Sequence, residues 1–443
     1  MNKQQSKNQT LPIIMMFALF AMISFVTGLS NPLGVIVKNQ EGVQIWMSQL
    51  GNFANFFAYL FMGLPAGIIL KRKGYKFTAL SAIGVGLLGV GIQLLSAMMP
   101  YTKGDEFLPV FLVYLSGAFV SGFSMCMLNT VVNPMLNTLG GGGNKGNQLI
   151  QFGGSLNSFA ATIVPILGGY LIADAAKSTL RDAVPALLIA MGIFAIAFVV
   201  LAMVKIPEPH LEKRIVGEKV KDKYSPMSFK HFVMGTIAIF LYVGIEVGIP
   251  NFINLFLTAG QSVIDGASGA GIDAGAAGTV VGTYWFLMLI GRLLGGTLGG
   301  KFSAKSQLLF VSSLAIILIV AGIFTPTSVS VSMPVFRADI SFGFQVVPLS
   351  VLFFVLCGLC TSIMWGGIFN LAVEGIGKYT AMGSGIFMVM VVGGGVLPLL
   401  QGLVADLTVS YIASYWVIVA ALVYLLYYAI IGSKNINTDI PVK

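Results

Sequence analysis

Two ionisable side chains, Glu246 and Arg292, interrupt otherwise apolar runs in this 443-residue chain. A charge at the centre of a membrane-spanning helix costs about 2.5–3.5 kcal/mol on insertion scales, so such a residue is kept for ion binding, substrate contact or a structural pair. A carboxylate there can exchange a proton or ligate a cation. Counted at ~1.5 Å per residue, Glu246 stands roughly 22 Å above the start of its run, and Arg292 about 9 Å from the end of its own. The rise therefore predicts no direct pairing. Glu246 is the candidate ion-coupling residue, and Arg292 a separate gating or structural residue near one mouth.

Carboxamides recur at helical spacing. Gln49, Asn52 and Asn55 follow one another at three-residue steps, Asn129 and Asn133 are one turn apart, and Asn251 and Asn254 share a face. Asn31, Gln151, Asn157 and Asn370 lie in other apolar runs. An amide offers donors and acceptors without charge, which matches the hydroxyls of a neutral sugar. Tyr284, Trp285 and Trp365 offer ring faces for a sugar's C–H surface. The set Asn31, Asn52, Asn129, Asn133, Asn157, Asn251, Tyr284, Trp365 and Asn370 is the candidate substrate site. Amides also glue membrane helices together, and that use competes with substrate contact at each position.

Other chemistry finds little support. Cys357-x-x-Cys360 has no histidine or second pair beside it, so it reads as small packing residues, with no metal expected. Gly140–Gly146 resembles a phosphate loop but lacks the Ser or Thr after Lys145. His210 and His231 flank the central polar stretch, so no histidine relay crosses the membrane and no intramembrane enzyme or cofactor is expected.

The elements that position these residues follow from composition. The chain is 56% hydrophobic and 9% charged, with mean hydropathy +0.90, whereas soluble domains are about a quarter charged. Apolar runs near the ~20 residues needed to cross a bilayer fall at 11–37, 45–70, 77–99, 107–137, 149–173, 183–205, 231–257, 276–298, 306–324, 346–372, 380–405 and 409–432. The short polar N-terminus leads directly into a full-length span, so span one is expected to be retained rather than cleaved. The charge-dense stretch 206–230 divides the chain into a six-span bundle (1–205), a linker and a second bundle (231–443).

Of the 25 Lys and Arg residues, 19 fall on the side that holds both termini and the linker, five on the other, and Arg292 in between. The positive-inside rule then places both termini in the cytoplasm. The net charge of +9 is a topology signal rather than a nucleic-acid footprint, because the basic residues are spread over several loops.

The halves repeat. Pro165 through Asp174 in span five matches Pro398 through Asp406 in span eleven, and a helix break is expected at Ser30-Asn31-Pro32 in span one and at Ile249-Pro250-Asn251 in span seven. The expected fold is an all-α membrane protein of twelve helices in two pseudo-symmetric six-helix halves, the major facilitator layout.

At several stretches the sequence resembles the fucose–galactose–glucose permease branch of that superfamily. They include Asn129-Thr-Val-Val-Asn-Pro134, Leu156-Asn-Ser-Phe159, Ile290-Gly-Arg292, Ser362-Ile-Met364 and Gly393-Gly-Gly395 through Asp406. The resemblance implies a monomeric, alternating-access importer of a hexose or sugar derivative in the bacterial inner membrane, coupled to a proton or sodium ion. The family's span-four Glu is Asn129 here, its span-one acid aligns with Asn31, and a span-five glutamine is Gly154. Amides cannot carry a proton, which turns attention to Glu246. Superposing Gly122–Cys126 on Gly358–Ser362 pairs Asn129 with Trp365 across one cavity. A multidrug or metabolite transporter, or a sugar sensor, remains open on the same fold.

Overall fold

The computed structural model describes residues 10–40, 42–100, 107–139, 143–171, 178–206, 208, 224–261, 267–298, 302–337, 339–437 and 439–442. Most of the expected linker, and the Gln151 side chain, lie outside these. Among the described residues ten helices are long and apolar enough to cross a membrane. One of them, Leu50–Met98, is two spans joined through Gly74, whose φ of 85° and ψ of 177° break the helical path. Counting it twice and adding Gly143–Leu171 gives the twelve expected spans. A left-handed φ favours glycine. The turn is held by the Glu208 carboxylate, which accepts from the amides of Tyr75 and Lys76 at 2.7 and 2.8 Å.

Side chains on most spans are apolar all round, as they must be where lipid covers one face and protein the other. Leu64, Ile68, Ile196 and Phe310 are exposed, while Met16, Tyr75, Phe194, Phe252 and Phe354 are fully buried in the bundle. The end carrying Lys71–Lys76 is called lower below, and the end carrying Lys38 and Asp406 upper.

Spans one, ten and eleven are interrupted, at Leu29, at Ser362–Ile363 and at Val391–Val392. The break in span one falls one residue before the expected tripeptide. Span seven corrects the reading from sequence: Lys230–Thr258 runs unbroken through Pro250. A proline leaves the carbonyl four residues earlier without its amide donor. Here that carbonyl belongs to Glu246, and the Tyr284 hydroxyl donates to it at 3.3 Å. The orphan acceptor is satisfied by a neighbouring helix, so the chain need not break.

An antiparallel hairpin, Ser330–Phe336 with Phe342–Pro348, precedes span ten at the upper end. The Phe336 amide donates to the Thr283 hydroxyl of span eight at 3.0 Å, and its ring stacks on Phe286 at 4.8 Å. Span ten therefore begins at Leu349, not at 346. In the hairpin turn, hydrogen bonds from the Ser341 hydroxyl and amide hold the Asp339 carboxyl below its usual range.

Candidate functional site

At the upper end the first six spans meet the last six through amides. Asn31 Nδ2 donates to Asn251 Oδ1 at 2.9 Å, and Asn254 Nδ2 donates back to Asn31 Oδ1. Asn251 Nδ2 reaches Gln49 Oε1 at 3.2 Å, and Asn52 Nδ2 donates to the Gly394 carbonyl at 2.8 Å. All five carboxamides are buried. Asn31, Asn52 and Asn251 thus sit in the seam, in the adhesive role that amides share with substrate contact. Asn55, the next in the span-two row, turns instead into the first bundle beside Gln93, Tyr114 and Ser121.

Asp406 completes the seal. Its two oxygens accept from the amides of Ile45 and Trp46 at 3.0 and 2.9 Å, tying the end of span eleven to the start of span two. The triple glycine Gly393–Gly395 lets the same two spans close up, since a Cβ at Gly395 would meet the Phe53 backbone. In the sequence Asp406 stands only as the end of the stretch that repeats Pro165–Asp174. That its carboxylate crosses to the other bundle was not legible from the repeat.

At mid-depth the two charges meet. Arg292 Nη2 lies 3.1 Å from Glu246 Oε1, with the two side chains 14% and 15% exposed. This corrects the expectation that they stand apart. Span seven is 29 residues long, about 43 Å as helix, against a hydrocarbon core of ~30 Å. Such a helix overruns the core at its ends, and its side chains lean toward its N-terminus, so Glu246 leans down while Arg292, on the antiparallel span eight, leans up toward it. The arginine's length covers the remainder. The guanidinium also reaches span five, where Nη1 donates to the Gly154 carbonyl at 2.7 Å and to Ser158 Oγ at 2.8 Å. Tyr242, one turn before Glu246, is fully buried with its hydroxyl facing both charges, and its ring meets Trp365 edge-on at 6.2 Å.

The remaining candidates divide by position. Asn129 is half-buried and donates from Nδ2 to the Tyr59 hydroxyl at 3.0 Å and to the Met125 carbonyl at 3.1 Å. Asn133 donates to the Asn129 carbonyl, and Asn157 to the Phe20 carbonyl. Among the described residues none donates to the side-chain oxygen of these three, so each retains acceptor capacity. Trp365 is half-buried, two residues after the break in span ten. Tyr284 is fully buried, with its hydroxyl between the Glu246 carbonyl and Thr361 Oγ1. That places it in the helix scaffold rather than on an open surface. Asn370 is exposed, one turn from the lower end of span ten. Cys357 and Cys360 are buried free thiols. His231 is buried in the first turn of span seven with Nε2 2.9 Å from the Glu374 carbonyl.

Comparison with known proteins places this geometry in context. Residues 13–398 match the family described as the Major Facilitator Superfamily. A glucose/galactose transporter of Brucella abortus biovar 1 (strain 9-941) is 30% identical over 437 residues, covering 97% of this chain and 96% of that one. The L-fucose-proton symporter of Escherichia coli (strain K12) is 23% identical, covering 91% and 88%. Among solved structures, the transporter FucP in the outward conformation aligns with TM-score 0.66 at 19% identity, over 97% of this chain and 100% of that one. A D-xylose-proton symporter aligns with TM-score 0.70 at 12% identity, over 96% and 98%. At those identities the structures speak to the fold alone, and fold and sequence agree: the chain belongs to the Major Facilitator Superfamily.

Proposed function

We propose that this protein imports a neutral hexose across the bacterial inner membrane by alternating access, drawing a cation in with it. The observation that carries the reading is one buried carboxylate–guanidinium pair, Glu246 with Arg292, set among uncharged amides on both sides of the seam. A polyhydroxylated solute asks for donors and acceptors without fixed charge, and the pair supplies one group able to change its charge. The curated relatives named glucose/galactose transporter support a hexose, and the one named L-fucose-proton symporter supports a proton as the coupling ion.

The lower end faces the cytoplasm, because 19 of the 25 basic residues lie on that side. Residues 1–205 and 231–443 are the bundles that rock against each other, joined by 206–230. Asn129, Asn133 and Asn157 bind sugar hydroxyls from one wall, and Trp365 packs on the ring from the other. Asn31, Asn52 and Asn251 hold the upper seam shut in the closed arrangement and become available when it parts. Glu246 takes the coupling proton. The solute crosses unchanged, the chain works as a monomer within the bilayer, and the cycle calls for no cofactor.

Counterflow in proteoliposomes tests this directly. Purified protein should exchange labelled glucose or galactose for unlabelled sugar inside, and an inward proton gradient should drive accumulation. Failure with every neutral sugar, together with efflux of a cationic dye, would move the assignment to a multidrug transporter.

A further inference from the structure

We propose that Arg292 is the positioning residue through which ionisation of Glu246 sets how firmly the two bundles are held at mid-depth, with Gly154 of span five leaving the room it needs. The inference rests on reading Glu246 as the coupling group and goes past it to the contact that group controls.

Among the described residues of this region, Arg292 alone is bonded to both bundles. Through Nη2 it holds Glu246 of its own bundle, and through Nη1 it holds the Gly154 carbonyl and Ser158 hydroxyl of the other. The guanidinium is planar and stays charged at any physiological pH, so fixing one edge aims the other. A Cβ added at Gly154 would sit 3.7 Å from Nη1 and 4.0 Å from Cδ. The guanidinium therefore lies against bare backbone, and a side chain longer than alanine would contest its place. Ser158 is fully buried, so its hydroxyl has little recourse to water if the arginine leaves.

The consequence of protonation follows from these partners. With Glu246 ionised, the Nη2 bond is charge-assisted and holds the fork toward span five. A proton added to the carboxylate removes that anion and leaves a desolvated cation facing neutral acceptors, a costly arrangement that relaxes by moving toward water. Among the described residues no other carboxylate pairs with Arg292. Around Glu246 stand Tyr242 on its own helix and Tyr284 on span eight, and beside Tyr284 lie Cys357 and Thr361 of span ten. Spans eleven and twelve bring Gln401 and Tyr415 against the same helix. All are neutral near pH 7. Loading the proton thus loosens the tie between spans five and eight, and losing it restores the tie. That is the order an importer needs, since the lower side opens only after the proton is aboard.

Spin labels at Thr138 and Phe302, both exposed and both at the lower end of their own bundle, report the separation. In the native chain the population at long distance should rise as pH falls from 8.5 to 5.5. Glu246→Gln should show the long population at both pH values, and so should Arg292→Gln. Ser158→Ala, the mildest change, should raise the long population about tenfold at pH 8.5, the worth of one bond to a charged donor. Arg292→Lys keeps the charge without the fork and should lose most of the pH response. Sugar counterflow, measured on every variant, shows that each is folded. Native-like distances and native pH response in both Ser158→Ala and Arg292→Gln overturn the proposal. If Glu246→Gln loses accumulation yet keeps native, pH-dependent distances, the tie is wrong while the coupling assignment stands. If Glu246→Gln still accumulates sugar, the coupling assignment itself falls.

Discussion

The Tyr284 hydroxyl donates to the main-chain carbonyl of Glu246, the carbonyl that Pro250 leaves without an amide. One phenol thus lets span seven carry a proline through mid-membrane unbroken, one helical turn above the carboxylate proposed to couple transport. The same carbonyl bond fixes the backbone from which Glu246 reaches Arg292.

Removing that hydroxyl should cost stability more than affinity. Tyr284→Phe leaves a buried acceptor unsatisfied, a loss of about 1–3 kcal/mol, and should lower the thermal midpoint of the detergent-purified protein. Pro250→Ala returns the missing amide, so the tyrosine deletion should cost less in that background. Equal costs in both backgrounds would show that the phenol and the proline are not linked.

Coupling should separate from exchange in Glu246→Gln. The amide keeps the shape of the carboxyl but cannot take a proton, so uphill uptake should vanish while counterflow persists. Neutral Gln also leaves Arg292 without its anion, and truncating one member of a buried pair commonly costs 3–5 kcal/mol. Expression and stability are therefore to be measured beside transport. A variant that accumulates sugar as well as the native chain sinks the assignment of Glu246.

How much of this was legible in the sequence depends on range. The spans were, because a run of ~20 apolar residues reports its own environment, and Gly74 between Lys73 and Tyr75 marked the turn inside the 49-residue helix. The hairpin was passed over although Ser330–Phe336 alternates. The apolar run that starts at 346 takes in only the last three residues of its second strand, whereas alternation over seven residues signals a strand. The Glu246–Arg292 pair was missed for a geometric reason: axial rise locates a residue within its helix, not helices against each other. The carboxamides were legible as a class, but one amide pattern serves adhesion and recognition alike. Only contacts divide Asn31 and Asn251, bonded to each other, from Asn129 and Asn157, bonded within their own bundle.

The upper seal should be weakened by Asp406→Asn. An amide offers one acceptor where the carboxylate offers two, so either the Ile45 or the Trp46 amide loses its partner. A bond to a charged acceptor is worth about 1.5–3 kcal/mol, so the upper-open population should grow roughly ten- to hundredfold. A cysteine at Ser30, half-buried beside the seam, should then be alkylated faster from the upper side. An unchanged rate would mean that the Asn31–Asn251–Asn254 cluster holds the seam without Asp406.

The sugar platform is tested on its two walls. Asn129 and Trp365 occupy matching positions in the repeat, on spans four and ten, which with spans one and seven line the central cavity of this architecture. Asn129 keeps its oxygen available to a sugar hydroxyl while its nitrogen is engaged by Tyr59 and Met125. Trp365 is half-buried, with one edge against Tyr242. Asn129→Ala removes one neutral bond, about 0.5–1.5 kcal/mol, and should weaken sugar binding by up to tenfold. Trp365→Ala removes the ring surface and should cost at least as much, with Trp365→Phe milder because part of the face remains. Because Trp365 also packs on Tyr242, and Tyr242 faces Glu246, its truncation should shift the pH profile of uptake as well as affinity, whereas Asn129→Ala should leave the profile in place. Trp365→Ala protein that folds and binds sugar with native affinity removes the indole from the site and leaves it a packing residue beside Gly366 and Gly367.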